Sequence, residues 1–372
     1  VFDMPELHIT GIDLYQARIP MIAPFRIAIG VISEGEYLFV RINTDGGFSG
    51  WGEATPTTMI TGDTQAINSA AAASLAKLIL GKDPLDIEAR VTEMGRFLAF
   101  NSGVRAAFDI ALYDLAARVA GLPLYAFLGG GKRQLETDMT IGLNEPAKMA
   151  ERALELKRSG VSAIKVKLGT SADEDVERIN RIREANGDEL PLRVDANQGW
   201  DFPTAVTVFS RLETAGIEYC EQPIAHWNYD GFRRLRERVS IPIMADESVF
   251  DHHDAFKLTA GGCCDYLNIK LAKSAGIHTA LKINAVAEAS GVACMLGCMM
   301  ETRLALTAAA HLVSARPNIR YADLDGHFEL KEDPIIGGAR WDGGTITIPD
   351  EPGIGAEVDP AFLARCEHAV VD

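Results

Sequence analysis

From about residue 135 onward, short apolar segments alternate with longer amphipathic ones. The short segments, at 136–141, 163–168, 192–195, 218–221, 243–246, 266–270, 292–296 and 320–325, read as strands, and the stretches between them carry helical spacing. Eight strands separated by helices predict a parallel sheet closed into a barrel. The first 125 residues are mixed. YLFVRIN at 37–43 is strand-like, and Asp45-Gly46-Gly47 is a turn signal leading to a partner strand. Apolar positions at helical spacing run over 104–119 and stop before Gly121-Leu122-Pro123. The tail, 326–372, shows no further strand–helix unit and is expected to pack back on the N-terminal part.

Strand alternation gives each barrel strand an inner and an outer face. In AIKVKL, Ile164, Val166 and Leu168 face outward, which points Lys165 and Lys167 inward. The same parity sends Arg193, Asp195 and Asn197 inward on the third strand. It does so for Asn268 and Lys270 on the sixth and for Asp323 and Asp325 on the eighth. Lys167, Asp195, Glu221, Asp246 and Lys270 each end a strand and follow one another at intervals of 24 to 28 residues, one strand–helix unit apiece. Active sites in such barrels lie at that end.

Asp195, Glu221 and Asp246 come from adjacent strands. Three carboxylates in one enclosed site need a compensating cation. An all-oxygen donor set suits Mg²⁺ or Mn²⁺ rather than zinc. The alternative is a salt-bridged barrel interior in which Arg193 and the lysines are the partners. A lysine acts as a base only when its pKa is lowered, and a neighbouring cation does that. Lys165 beside Lys167 fits this. Lys270 lies on the far side of the carboxylates in barrel order, so a substrate held between them meets a lysine on each face. Asp323 and Asp325 are either a second acidic pair facing the site, suited to a cationic group, or a turn pair before Gly326.

Length and composition agree with this organisation. A chain of 372 residues suits one large barrel plus a smaller domain. The net charge of −16 repels phosphate backbones and anionic lipid, so no nucleic-acid or membrane partner is expected. Six cysteines without a CxxC pair read as reduced, mostly buried thiols of a cytoplasmic protein. The N-terminal residues lack a basic stretch followed by an apolar core, so no signal peptide is expected. Gly129-Gly130-Gly131-Lys132 is not a phosphate loop, because Ala126 stands where the first glycine belongs and Arg133 replaces Ser/Thr. His252-His253 is expected in a solvated loop, and the stretch ending at His311-Leu312 is expected in the core. Cys294 and Cys298 flank the end of the seventh strand.

Taken together, GWGEA (50–54), KVK (165–167), RVDANQGW (193–200), EQP (221–223), MADES (244–248), NIK (268–270) and ADLDG (322–326) resemble the enolase superfamily and its muconate-lactonizing subgroup. That superfamily pairs a lysine or histidine base with Mg²⁺. Within the subgroup, Asp323-Leu324-Asp325 is similar to the DxD motif of the dipeptide epimerases, which bind the substrate's α-ammonium group with it. The resemblance implies an α/β fold: a modified (β/α)7β TIM barrel with an α+β capping domain formed by the N-terminal region and the C-terminal tail. Residues 1–125 would be the capping domain with its specificity loops, 126–325 the catalytic barrel, and 326–372 the segment returning to the cap.

The resemblance also implies an isomerase. Asp195, Glu221 and Asp246 would bind Mg²⁺, with Mn²⁺ a substitute. Lys167 and Lys270 would exchange the α-proton of the C-terminal residue of an L-Ala-Xaa dipeptide through an enolate. Lys165 would tune Lys167 and touch the carboxylate. Thr140, Cys298, Asp323 and Asp325 would line the substrate pocket, with Asn197 and Asn268 behind the ligands. A homo-oligomer is expected. Ala-Glu-selective members carry an Arg in the capping loop where PFRIAIG (24–30) places Gly30, which argues against Ala-Glu and leaves room there for a larger group. Rival readings are o-succinylbenzoate synthase/N-acylamino acid racemase and muconate cycloisomerase, which lack DxD, and a non-catalytic metabolite-binding barrel.

Overall fold

The computed structural model describes residues 7–372. The chain opens with three long antiparallel strands, β1 (Ile9–Ile27), β2 (Gly30–Thr44) and β3 (Ser49–Ala54). The turn between β2 and β3 carries Gly47 at φ 76°, a conformation glycine adopts without strain. β2 is buried on both faces, which explains its unbroken apolar run. Leu38, Val40 and Ile42 pack against helices α1 (Gln65–Ile79) and α3 (Ser102–Val119), while Tyr37 and Phe39 join the barrel core. A β-carbon on Gly50 or Gly52 would overlap the α3 backbone at Ala111 or Ala107, so those glycines let α3 lie directly on β3. Helix α2 (Ile87–Phe97) flanks α3, and the short α4 (Leu124–Phe127) leads to the barrel.

The barrel strands are β5 (Met139–Ile141), β6 (Ile164–Lys167), β7 (Leu192–Asp195), β8 (Ile217–Glu221), β9 (Ile243–Ala245), β10 (Tyr266–Ile269), β11 (Ala293–Gly297) and β12 (Ile319–Asp323). They pair in chain order and in parallel. Seven helices separate them: α5 (Pro146–Arg158), α6 (Ala172–Asn186), α7 (Phe202–Arg211), α8 (Tyr229–Arg236), α9 (His252–Ala260), α10 (Ile277–Ala289) and α11 (Arg303–Ala315). The ring closes through Asp138 N–H, which donates to Ala322 O at 3.3 Å. The first strand differs from its sequence reading. It is split into β4 (Leu135–Glu136), paired antiparallel with tail strand β15 (Thr345–Thr347), and β5 in the barrel. The chain changes partners at Thr137, whose N–H donates to Gly344 O at 2.7 Å.

The tail also contributes β13 (Ile335–Gly337), β14 (Arg340–Asp342), β16 (Ala356–Val358), α12 (Pro360–Leu363) and β17 (Glu367–Val371). β17 adds an edge to the N-terminal sheet by pairing with β1 from Ile12↔Val371 to Gln16↔Glu367. Cap and barrel are joined by buried polar contacts. Glu53 accepts from Thr302 N–H (2.8 Å), Thr302 Oγ1 (2.6 Å) and Ala305 N–H (3.2 Å), capping α11 from across the interface. Tyr37 Oη donates to Met300 O at 2.7 Å. His252 and His253 stand in the first turn of α9 rather than in a loop, because Asp251 caps that helix through the His253 and Asp254 amides. All six cysteines are free thiols, five of them buried. Among the described residues no helix is long and apolar enough to cross a membrane.

Candidate active site

The parallel register sets Lys167, Asp195 and Glu221 side by side at the C-terminal ends of β6, β7 and β8. Asp246 follows β9 by one residue and Lys270 follows β10 by one. All five side chains are buried. Lys165 starts two residues lower on β6, but its chain is long enough to reach the same level. Its Nζ lies 3.3 Å from Glu221 Oε2 and 3.8 Å from Asp195 Oδ2, and it pairs with Asp323. Lys167 Nζ lies 2.6 Å from Asp195 Oδ2. On the opposite side, Lys270 Nζ lies 2.9 Å from Asp246 Oδ2 and 3.9 Å from Glu221 Oε1. Glu221 is therefore the shared centre, with Lys165 on one side and Lys270 on the other.

Charge sets the protonation pattern. Burial pushes Glu221 well above the usual carboxylate range, and neighbouring Asp195 adds to this. Burial acts the same way on Asp246, yet Lys270 and Lys273 overcome it and hold that carboxylate well below its ordinary value. Burial alone would lower Lys165 and Lys270. Their carboxylate neighbours, Asp323 for Lys165 and Asp246 for Lys270, win instead and hold both as ammonium ions.

The donor set fits a hard divalent cation. It consists of carboxylate oxygens alone, and the two oxygens of Asp246 are satisfied only by ion pairs, Oδ1 with Lys273 and Oδ2 with Lys270. The carboxylates are oriented from behind. Asn268 Nδ2 donates to Glu221 Oε1 at 2.7 Å, and Asn197 N–H donates to Asp195 Oδ1 at 2.8 Å. Asn197 adopts φ 39°, which turns the chain just past β7 so that its amide faces Asp195. The ammonium groups stand between the three carboxylates. The tighter group, with ligand atoms within 4.8 Å of one another, is Cys298, Asp323 and Asp325. That group is a poor metal cage, because burial pushes the Cys298 thiol well up and keeps it protonated, while Asp323 is already paired with Lys165.

The acidic pair belongs to the site rather than to a free turn. Thr140 N–H donates to Asp325 Oδ2 at 2.6 Å, Thr140 Oγ1 lies 3.4 Å from Asp323 Oδ1, and Cys298 Sγ lies 3.9 Å from Asp325 Oδ1. Burial raises Asp325 to about 7, and Asp323 beside it pushes the same way. Asp323 thus has Lys165 as its counter-cation, whereas Asp325 makes no ion pair among the described residues.

Four features escape the strand pattern. Arg193 points inward but at a lower level, where it pairs with Asp138 (2.9 Å) and Glu218 (2.8 Å) and covers Tyr219 and Tyr321; it is no partner of the three carboxylates. Gln222, at φ 38°, accepts from Asp246 N–H at 2.8 Å and Ser248 N–H at 3.2 Å. Glu247 takes a hydrogen bond from Asn197 Nδ2 at 3.2 Å on one oxygen and leaves the other unpartnered, and burial raises it to about 7. Lys273 is fully buried against Asp246. The sequence signals were the Gln after Glu221, the Glu after Asp246, and a second lysine three residues past Lys270.

Over the mouth, the capping hairpin meets the barrel in a cleft of about 580 Å³ lined by Ile29, Met59, Ile60, Gln198, Ala225, His226, Glu247 and Phe250. The space expected beside Gly30 is not open, because the Met59 sulfur occupies it. Arg26 is exposed and lies on the opposite face of β1 from buried Phe25 and Ile27.

Comparison with known proteins places this arrangement. Residues 11–129 match the N-terminal domain of mandelate racemase/muconate lactonizing enzymes, and residues 148–362 match the enolase C-terminal domain-like family. The chain is 41% identical over 352 residues to the L-Ala-D/L-Glu epimerase of Clostridium acetobutylicum, covering 94% of this chain and 98% of that protein. It is 41% identical over 333 residues to the hydrophobic dipeptide epimerase of Enterococcus faecalis, covering 89% and 94%. A crystal structure of the dipeptide epimerase of Cytophaga hutchinsonii with Mg and the dipeptide D-Ala-L-Val superposes with a TM-score of 0.97 at 40% identity, covering 98% of this chain and 100% of that one.

Proposed function

The chain belongs to the enolase superfamily, in its mandelate racemase/muconate lactonizing enzyme branch, and on that premise we propose that it is a Mg²⁺-dependent dipeptide epimerase. It is an isomerase that inverts the α-carbon of the C-terminal residue of a dipeptide by 1,1-proton transfer. The observation that carries the reading is the placement of Lys167, against Asp195, and Lys270, against Asp246, at the two ends of the buried Asp195–Glu221–Asp246 cluster, with the Asp323–Asp325 pair joined to it through Lys165.

The proposed roles follow from chemistry. Asp195, Glu221 and Asp246 would hold the cation. Mg²⁺ bound there would supply positive charge against the substrate carboxylate as the α-proton leaves. Lys167 takes or returns the proton on one face and Lys270 on the other. A positioned base of this kind typically contributes about 10²–10⁴-fold. Lys165 carries a positive charge toward the substrate carboxylate. Asp323 and Asp325, braced by Thr140 and Cys298, receive the α-ammonium group, and that pair favours a dipeptide over an N-acylated amino acid or a muconate. Asn197 and Asn268 orient Asp195 and Glu221. Residues 1–125 and 326–372 form the cap over the barrel of 126–325. The same reading carries a homo-oligomer, a cytoplasmic setting supported by the free thiols, and Mn²⁺ as a substitute cation.

The test is chiral analysis of L-Ala-L-Xaa dipeptides incubated with the protein. Inversion confined to the C-terminal residue, lost with a chelator and regained with Mg²⁺, is the expected result. Inversion that persists in metal-stripped protein contradicts it.

A further inference from the structure

Lys273 has no place among the groups assigned above, yet it is as deeply buried as any of them, with 1% of its side chain exposed. It sits in the tight turn after β10, where its N–H donates to Lys270 O at 3.0 Å. Its ammonium group is surrounded by oxygen. It donates to Val249 O at 3.1 Å, to Asn268 O at 3.2 Å and to Asp246 O, and it pairs with Asp246 Oδ1. Three protons thus meet four oxygens, three of which belong to the loop that begins at Asp246. The Phe250 ring covers the ammonium group at 5.7 Å.

The two oxygens of Asp246 are divided between two lysines. Oδ1 faces Lys273, and Oδ2 faces Lys270 at 2.9 Å. The two lysines differ in what else they hold. Lys270 has carboxylates as its ion-pair partners, and its task is to leave them for an α-carbon. Lys273 is fixed by three backbone carbonyls and has no such freedom.

We propose that Lys273 is a positioning residue for the cation site: it anchors Oδ1 of Asp246 and the backbone behind it, so that Oδ2 alone is turned toward the cation. The inference rests on the reading of Asp246 as a metal ligand. Partners behind a ligand typically change metal affinity by about 10–100-fold when removed. Loss of Lys273 frees Oδ1 of Asp246 and removes a donor from three buried carbonyls, of which Asp246 O keeps the Val249 amide at 3.0 Å.

The experiment is calorimetric titration of the metal-stripped full chain with Mg²⁺ alone. The wild type is compared with Lys273→Met, Lys273→Gln and Glu221→Gln, with circular dichroism of each to verify folding. The expected result is a Mg²⁺ Kd raised about tenfold or more in both Lys273 variants, with binding lost in Glu221→Gln. Lys273→Gln keeps a donor for the carbonyls, so it serves if Lys273→Met does not fold. A Kd within twofold of wild type in a folded Lys273 variant, with binding lost in Glu221→Gln, overturns this inference alone. Unaltered Mg²⁺ binding in Glu221→Gln overturns the metal-site reading and the inference with it.

Discussion

The Met59 sulfur fills the volume that a side chain on Gly30 would need. On the proposed reading, the contact fills with apolar material the position where the resemblance puts the Arg of Ala-Glu-selective members. Ile29, Ile60 and Phe250 extend the apolar wall, and the Glu247 carboxylate borders it. An anionic side chain entering there meets no lysine or arginine among the lining residues, only the Gln198 amide and the His226 ring, to replace its water. A buried leucine-sized side chain gains about 1.5–3 kcal/mol instead. L-Ala-L-Leu should therefore exceed L-Ala-L-Glu in kcat/KM by at least about tenfold. Parallel assays of Ala-Leu, Ala-Lys and Ala-Glu decide it, and a preference for Ala-Glu would refute the argument.

The acidic pair predicts a pH dependence specific to dipeptides. Asp325, raised to about 7 by burial and by Asp323, must be ionised to hold an ammonium group. Its ionised fraction falls as pH drops below about 7, so kcat/KM for a dipeptide should fall with it. An N-acylated substrate has no ammonium group and should lack that step. Asp325→Asn should raise KM for dipeptides about 10–100-fold, from the loss of a charge-assisted hydrogen bond of about 1.5–3 kcal/mol. Equal losses on both substrates would make the pair structural.

The barrel lysines were legible in the sequence because strand alternation separates inner from outer positions, and KVK and NIK obey it without exception. The period gives direction but not reach. It sends Arg193 and Lys165 inward alike, yet Arg193 is held low by Asp138 and Glu218 while Lys165 extends to Glu221 and Asp323. Contacts between loops leave no periodic trace, so Met59 beside Gly30 could not be read. Neither could the change of partners at Thr137, which is made by the tail at Gly344. Lys273 lies in a turn, where no alternation marks a side chain as buried.

A second pH effect bears on stability. His311 on α11 accepts from Tyr125 N–H at 3.2 Å through Nδ1, and its Nε2 faces Ile354 O at 3.1 Å, which fixes one neutral tautomer. Burial pushes its pKa from 6.5 down to about 4. The neutral ring's contribution is complete above 6.5 and is lost as pH falls toward 4. Between pH 7.5 and 5 the loss should be about 2 kcal/mol. Denaturant unfolding at the two pH values measures it. In His311→Phe that part of the pH dependence should vanish, and an unchanged slope would exclude His311 as its source.

The central claim is that one lysine serves each face of the α-carbon, and hydrogen exchange in D₂O tests it most directly. Lys270→Ala and Lys167→Ala are each incubated in D₂O with the two diastereomers of one dipeptide, and α-deuterium is followed by mass spectrometry. Each variant should lose epimerisation while exchanging the α-hydrogen of one diastereomer only, with opposite choices in the two variants. Retained epimerisation in either variant, or exchange of the same diastereomer in both, would contradict the assignment.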